Sequence, residues 1–162
     1  MADFEAFTRL YGDCLDEASF ERLSWRAHRI LEAAVTGVDG VCKLTVSPPE
    51  GDAAEAVSRC ECALVDVLRR VEAAEEFSEA ARSTTDTGAG VRGGVIASVS
   101  AGNEFVTYKS PDTAGSAFSR AAADPGAARE LYDSVIREYL SGVCDARGVA
   151  LLYMGAYPFA AE

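Results

Sequence analysis

Leu131-Tyr132-Asp133-Ser134-Val135-Ile136-Arg137-Glu138-Tyr139-Leu140 is followed, past Gly142, by Val149-Ala150-Leu151-Leu152-Tyr153-Met154-Gly155. In the first run the apolar residues fall in pairs, 131/132, 135/136 and 139/140, the i, i+3/i+4 spacing that gives a helix one apolar face. Asp124-Pro125 opens this helix, with Asp at the N-cap and Pro at the first helical position, and Gly142 closes it. The second run has no helix of its own to bury it. Either its own bundle or a partner must cover it, and the reading of the whole chain turns on which.

Two further long helices precede this one. Asp16 caps a helix to about Thr36 with the stripe Phe20, Leu23, Ala27, Ile30, Leu31 and Ala34, stopped by Gly37. Asp52 to Glu76 carries Val57, Cys60, Leu64, Val67/Leu68 and Val71 and is expected to be the central helix. Its outer face, Glu55, Arg59, Asp66, Arg69, Arg70 and Glu72, alternates in sign as a solvated or subunit-facing surface does. Phe4, Phe7 and Leu10 make a short N-terminal amphipathic helix that ends at Gly12. Between the first two long helices Val38 to Pro49 contains a β-prone run, Val41 to Val46, broken by Pro48-Pro49, and is expected to be a connection with some extended character.

Beyond Phe77 the composition turns to Ser, Thr, Gly and Asp, a loop through Ser83 to Gly90. A hairpin signal follows, Val95 to Ser100 and Glu104 to Lys109 about the turn Ala101-Gly102-Asn103. Ala114 to Ala123 has room for a helical turn. The expected fold is mainly α: a small bundle of three long helices plus a short N-terminal helix, with an inserted β-hairpin and loop at about 77–123. Residues 1–142 form the domain and 143–162 an extended C-terminal tail.

The chain has 162 residues and a formal charge of −11, which argues against gripping a phosphate backbone as its main task. No apolar run approaches the ~20 residues of a membrane span, and Met1 to Glu5 lacks the basic and apolar regions of a signal peptide. A soluble protein made in the cytosol is expected. Five cysteines at irregular spacing, Cys14, Cys42, Cys60, Cys62 and Cys144, read as reduced thiols. Cys60 and Cys62 fall on roughly opposite faces of their helix, unable to share a metal.

Nucleophile-elbow, Walker, zincin and EF-hand patterns are missing, and one histidine, His28, is all that a Ser-His or Cys-His site has to use. Gly88-Ala89-Gly90 and Gly93-Gly94 lack the preceding strand and following helix of a phosphate loop. No cofactor and no metal are expected. Interaction surfaces are better motivated. Arg22, Arg26 and Arg29 lie off the apolar stripe of their helix together with Trp25, and Trp and Arg are enriched at interface hot spots. The hairpin, with Val99, Phe105 and Tyr108, needs a helix or another chain to lie on.

Four segments resemble the head-tail connector (adaptor, or head-completion) proteins of tailed double-stranded DNA phages and phage-derived particles. They are Leu15 to Leu23 with Arg26-Ala27 and Ile30; Val57 to Asp66; Ser98 to Tyr108, a Ser/Gly stretch ending in Val-x-Tyr; and Tyr139-Leu140-Ser141-Gly142 with Leu151-Leu152-Tyr153-Met154-Gly155. Two departures stand out. Val143 to Ala150 separates two closing motifs that the family keeps close, and Met154 replaces a basic residue.

The resemblance implies a non-enzymatic subunit of a ring, a dodecamer in the particle, lying under the portal protein in the neck and assembled in the bacterial cytoplasm. Such a ring continues the DNA channel, lets genomic DNA pass without specific recognition, and meets a stopper or tail-completion protein; no membrane is involved. On this reading Leu151, Leu152, Tyr153, Met154, Gly155, Tyr157 and Phe159 dock on the portal. Arg22, Trp25, Arg26, Arg29, Val99, Phe105 and Tyr108 meet neighbours or the tail side. The alternative from another class is a small soluble enzyme or ligand-binding domain using His28 or a Cys thiol.

Overall fold

The computed structural model describes residues 2–83, 98–101, 104–107 and 116–158, with the backbone alone at 80–83 and in the two strands. The protein is mainly helical, with six helices among the described residues. They are α1 (Phe4–Tyr11), α2 (Glu17–Val35), α3 (Lys43–Val46), α4 (Asp52–Ser83), α5 (Ala117–Ala123) and α6 (Pro125–Leu140). Strands β1 (Ser98–Ala101) and β2 (Glu104–Thr107) pair antiparallel with Ser98 opposite Thr107 and Ala101 opposite Glu104. Residues 84–97, with their glycine pairs and the start of the expected first strand, lie outside the described residues, as do Tyr108 and Phe159.

Helix α2 starts where its sequence cap dictates. Asp16 Oδ1 accepts from the Ser19 amide at 2.7 Å, satisfying one of the free N–H groups of α2. At the end of α1, Gly12 sits at φ +79 and returns its N–H to Thr8 O. From α2 the buried set is Phe20, Leu23, Ser24, Ala27, Leu31 and Val35, a stripe at helical spacing. Phe20 meets two rings of α1, Phe4 and Phe7, each with centroids 5.3 Å apart, which anchors the short helix. Leu10, assigned to the same face, is half exposed.

Helix α4 departs from an ordinary amphipathic pattern. Nine consecutive residues, 60–68, are buried, so in this stretch the helix has no outer face. Asp66, expected on a solvated or subunit-facing outer face, is among them and accepts from Arg69 Nη2 at 2.8 Å. Cys60 and Cys62 are both fully buried, and burial pushes the Cys60 thiol up to about 12 and the Cys62 thiol up to about 11. Such thiols are packing groups rather than nucleophiles. The helix also runs seven residues past Glu76, because Glu79-Ala80-Ala81-Arg82 are strong helix formers.

The run 41–46, expected to have some extended character, has it at one residue and is otherwise helical. Only Cys42 pairs as a strand residue, bridging to Thr36, and 43–46 turn into α3, with Val46 N on Cys42 O at 3.1 Å. Local β-propensity is overridden here by tertiary context, in which Lys43 is fully buried.

By contacts the chain forms two compact units. One comprises Met1–Arg69 with Arg129–Glu162, the other Arg70–Ala128. The first holds the core cluster: Phe7 and Phe20, the buried leucines of α2 and α4, Ile136 and Leu140 of α6, and Leu151 of the tail. In the second, the Arg70 guanidinium lies 5.3 Å from the Phe118 ring centroid, and Ser116 caps α5 by accepting from Ser119 N.

Leu151 is fully buried in the first unit. Leu151→Ala is therefore expected to lower unfolding free energy by about 2–5 kcal/mol in urea titrations. Leu10→Ala, at a half-exposed position, should change it by no more than about 0.5 kcal/mol.

Candidate docking surface and the clasped tail

Two short turns build the site. In the first, residues 36–42, Gly37 N donates to Val41 O and the Asp39 Oδ1 accepts from Val41 N at 3.2 Å. The second, residues 143–151, is closed by Asp145. Its Oδ1 takes the amides of Arg147 (2.9 Å) and Val149 (2.8 Å), its own N–H donates to Val149 O, and Gly148 supplies φ +81. Cys144 bridges antiparallel to Ala150, and Leu151 N donates to Val143 O at 2.9 Å. The eight residues that separate the two closing motifs in sequence thus loop out, and Leu151 resumes beside Val143, directly after Gly142.

From Leu151 the tail runs back over the 36–42 turn. Met154 O accepts from Val38 N at 3.2 Å, and Asp39 Oδ2 accepts from Tyr157 N at 2.6 Å. Tyr157 is buried and its hydroxyl donates to Asp145 Oδ2 at 2.6 Å. Burial, and then this bond to a carboxylate, push the Tyr157 phenol up. The bond to the Tyr157 amide holds the Asp39 carboxyl below its ordinary value of 3.8. Gly37 is a requirement of close approach: a Cβ there would lie 2.7 Å from Gly155 O.

Lys43 is the centre of the clasp. It is fully buried, and its ammonium donates to Val35 O, in the last turn of α2, at 2.9 Å and to Tyr153 O at 2.5 Å. Burial lowers its pKa, and the charges of Asp39 and Asp145 partly restore it. A cation at a helix C-terminus is favourably placed, and here the same cation grips the tail.

The proposed portal-docking residues therefore divide. Leu151 and Tyr157 are spent on the chain's own core, while Tyr153 and Met154 are half exposed beside Val38, which is 79% exposed. Gly155 lies beneath the Tyr153 ring. Leu152 and Met154 also line a groove of about 270 Å³ with Ala34, Ile136, Asp133 and Arg137. On α2, Trp25 is 61% exposed, Arg29 pairs with Glu32 at 2.9 Å, and Arg22 and Arg26 are exposed and engaged by partners. Val99 pairs with Val106 and Phe105 with Ser100, successive rungs of one ladder.

His28, the sole histidine, bridges two helices: Nδ1 lies 2.6 Å from Glu61 Oε1, and Nε2 lies 3.5 Å from Glu32 Oε1. Lys43, Asp39 and Asp145 escaped the sequence reading. The signals were there, as Asp39-Gly40, as Asp145-x-x-Gly148, and as one basic residue inside an apolar run.

Two outcomes follow. Lys43→Met orphans two carbonyls and is expected to cost about 1–3 kcal/mol and to expose the tail to limited proteolysis. Because the Asp39 pKa is depressed, its stabilisation of the tail is complete above 3.8 and is lost as pH falls through the lower folded value. The protection factor of the Tyr157 amide, its exchange rate corrected for the intrinsic pH dependence, should fall in that acid window, and Asp39→Asn should remove this change.

No protein-family model, curated protein or solved structure matches this chain, so the likeness to connector proteins rests on the order of its four segments.

Proposed function

We propose that this chain is a head-tail connector subunit of a tailed phage or phage-derived particle. It is a non-enzymatic assembly protein that forms a ring below the portal, extends the DNA channel and offers the attachment surface for a stopper or tail-completion protein. The observation that carries this reading is the outward presentation of the second closing motif. Tyr153 and Met154 stand exposed beside Val38 on a segment whose backbone is clamped by Lys43, so a docking surface is held ready in one shape.

Rings need heterologous interfaces, two different patches on each subunit. The Val38, Tyr153 and Met154 surface supplies the portal-facing patch, with the groove at Leu152 beside it. The Trp25 and arginine face of α2 and the β1–β2 ribbon supply those for neighbours or the tail side. A net charge of −11 suits a channel that DNA crosses without sticking. The rival reading, a ligand-binding domain built on His28, draws on a cavity that His28 lines.

Val38→Asp combined with Met154→Asp is expected to abolish binding to the portal protein in a pull-down while leaving Tm within a few degrees, since both side chains are exposed. Particles assembled without the protein should fill with DNA and then leak it or fail to join tails. Normal tail joining in its absence would overturn the assignment.

A further inference from the structure

Helix α6 carries Asp133 and Arg137 at i and i+4, acid before base, the order and spacing at which helix surfaces close ion pairs. Elsewhere such pairs are closed: Arg29 with Glu32, Arg59 with Glu55 and Arg69 with Asp66 all meet within 2.9 Å. Asp133 and Arg137 do not, and among the described residues neither side chain has an ion-pair or hydrogen-bond partner. Both instead line the groove of about 270 Å³ whose other wall is apolar, made by Ala34 of α2, Ile136 of α6, and Leu152 and Met154 of the tail. Every one of these residues belongs to the first compact unit.

The groove exists before any guest arrives. Ile136 is only 2% exposed, and the tail wall is fixed by its backbone, with Met154 O on Val38 N and Tyr153 O on the Lys43 ammonium. The Met154 side chain is half exposed and unbranched, which lets it follow the shape of what it covers.

Charge then selects the guest. One carboxylate and one guanidinium cancel, so a simple anion or a simple cation meets repulsion along with its attraction. A molecule that bears both charges satisfies both groups, and the planar guanidinium takes a carboxylate through two parallel hydrogen bonds. Residues at i and i+4 are about 5–6 Å apart at Cβ, so the two charges of the guest must sit close together rather than at the ends of a long chain. An α-amino acid is the smallest molecule of this kind, whereas the amide groups of an internal peptide residue carry no charge. The apolar wall adds that its side chain is aliphatic, and a volume just below the roughly 300 Å³ at which drug-sized pockets begin suits so small a guest.

We propose that this groove binds a free zwitterionic α-amino acid with a branched aliphatic side chain, of which leucine is the type. Its carboxylate lies on Arg137, its ammonium on Asp133, and its side chain packs on Ile136, Ala34, Leu152 and Met154. The site does not rest on the connector reading, because Asp133 and Arg137 are not among the residues assigned to the portal; either stands if the other fails.

The probe is L-leucine, titrated into the full-length protein while the Ile136 and Met154 methyl resonances are followed by NMR. Saturable shifts are expected, with affinity at least about tenfold above those of isoamylamine, which lacks the carboxylate, isocaproate, which lacks the ammonium, and glycine, which lacks the side chain. Shifts that do not saturate, or equal affinity for any of the three, would overturn the proposal. Arg137→Gln should weaken leucine at least about tenfold without weakening isoamylamine, and Asp133→Asn should weaken leucine likewise without weakening isocaproate. Leucine affinity that survives either substitution in a folded variant rejects the site. Both positions lie on the outer part of α6 and accept neutral polar residues, Arg137 being exposed and Asp133 half-buried. Should a variant unfold all the same, the comparison of leucine with its three analogues on the unaltered protein decides alone.

Discussion

The ammonium of Lys43 is withdrawn from water and shared between Val35 O, at the end of α2, and Tyr153 O, in the tail, and much of the first unit is arranged to permit this. The residue enters from α3, where a β-prone run coils instead of extending. The tail backbone must come close, which is why residue 37 is a glycine. Asp39 and Asp145 lie near enough to ease the cost of a buried cation while each also holds a second group, the Tyr157 amide and the Tyr157 hydroxyl. One charge thus joins segments 110 residues apart, and the apolar tail is covered by its own chain without being wholly hidden.

Central helix α4 poses a related problem. A helix stretch buried on all sides has few ways to satisfy its polar groups: Glu61 meets His28 and Asp66 accepts from Arg69, whose own Nε is buried without a partner. These contacts place the histidine where it binds α2 to α4.

The long helices were legible because periodicity and caps act locally. Phe20, Leu23, Ala27 and Leu31 are buried as their spacing predicts, and Asp16 caps as its type predicts. The clasp was not, because it depends on contacts between distant segments. Nothing local distinguishes Lys43 as a buried donor, or decides that Leu151 turns inward while Tyr153 and Met154 turn outward. Asp66 was misplaced for a similar reason: sign alternation along α4 resembles a wet surface, and only the helices packed around it make the stretch interior. Outer-face residues Trp25 and Arg29 are exposed as expected, since an off-stripe position on a one-sided helix is itself a local property.

The turn at 143–151 closes on itself through Asp145 and Gly148 and leaves the chain where it entered. A segment with joined ends is thermodynamically inexpensive to lengthen, since each doubling of a flexible loop costs only about 0.6 kcal/mol. Its tip, Ala146 and Arg147, is exposed. Relatives of this architecture are free to differ in length here without moving Leu151, and the tip is a natural position at which to graft an epitope or fluorophore while the clasp remains shut.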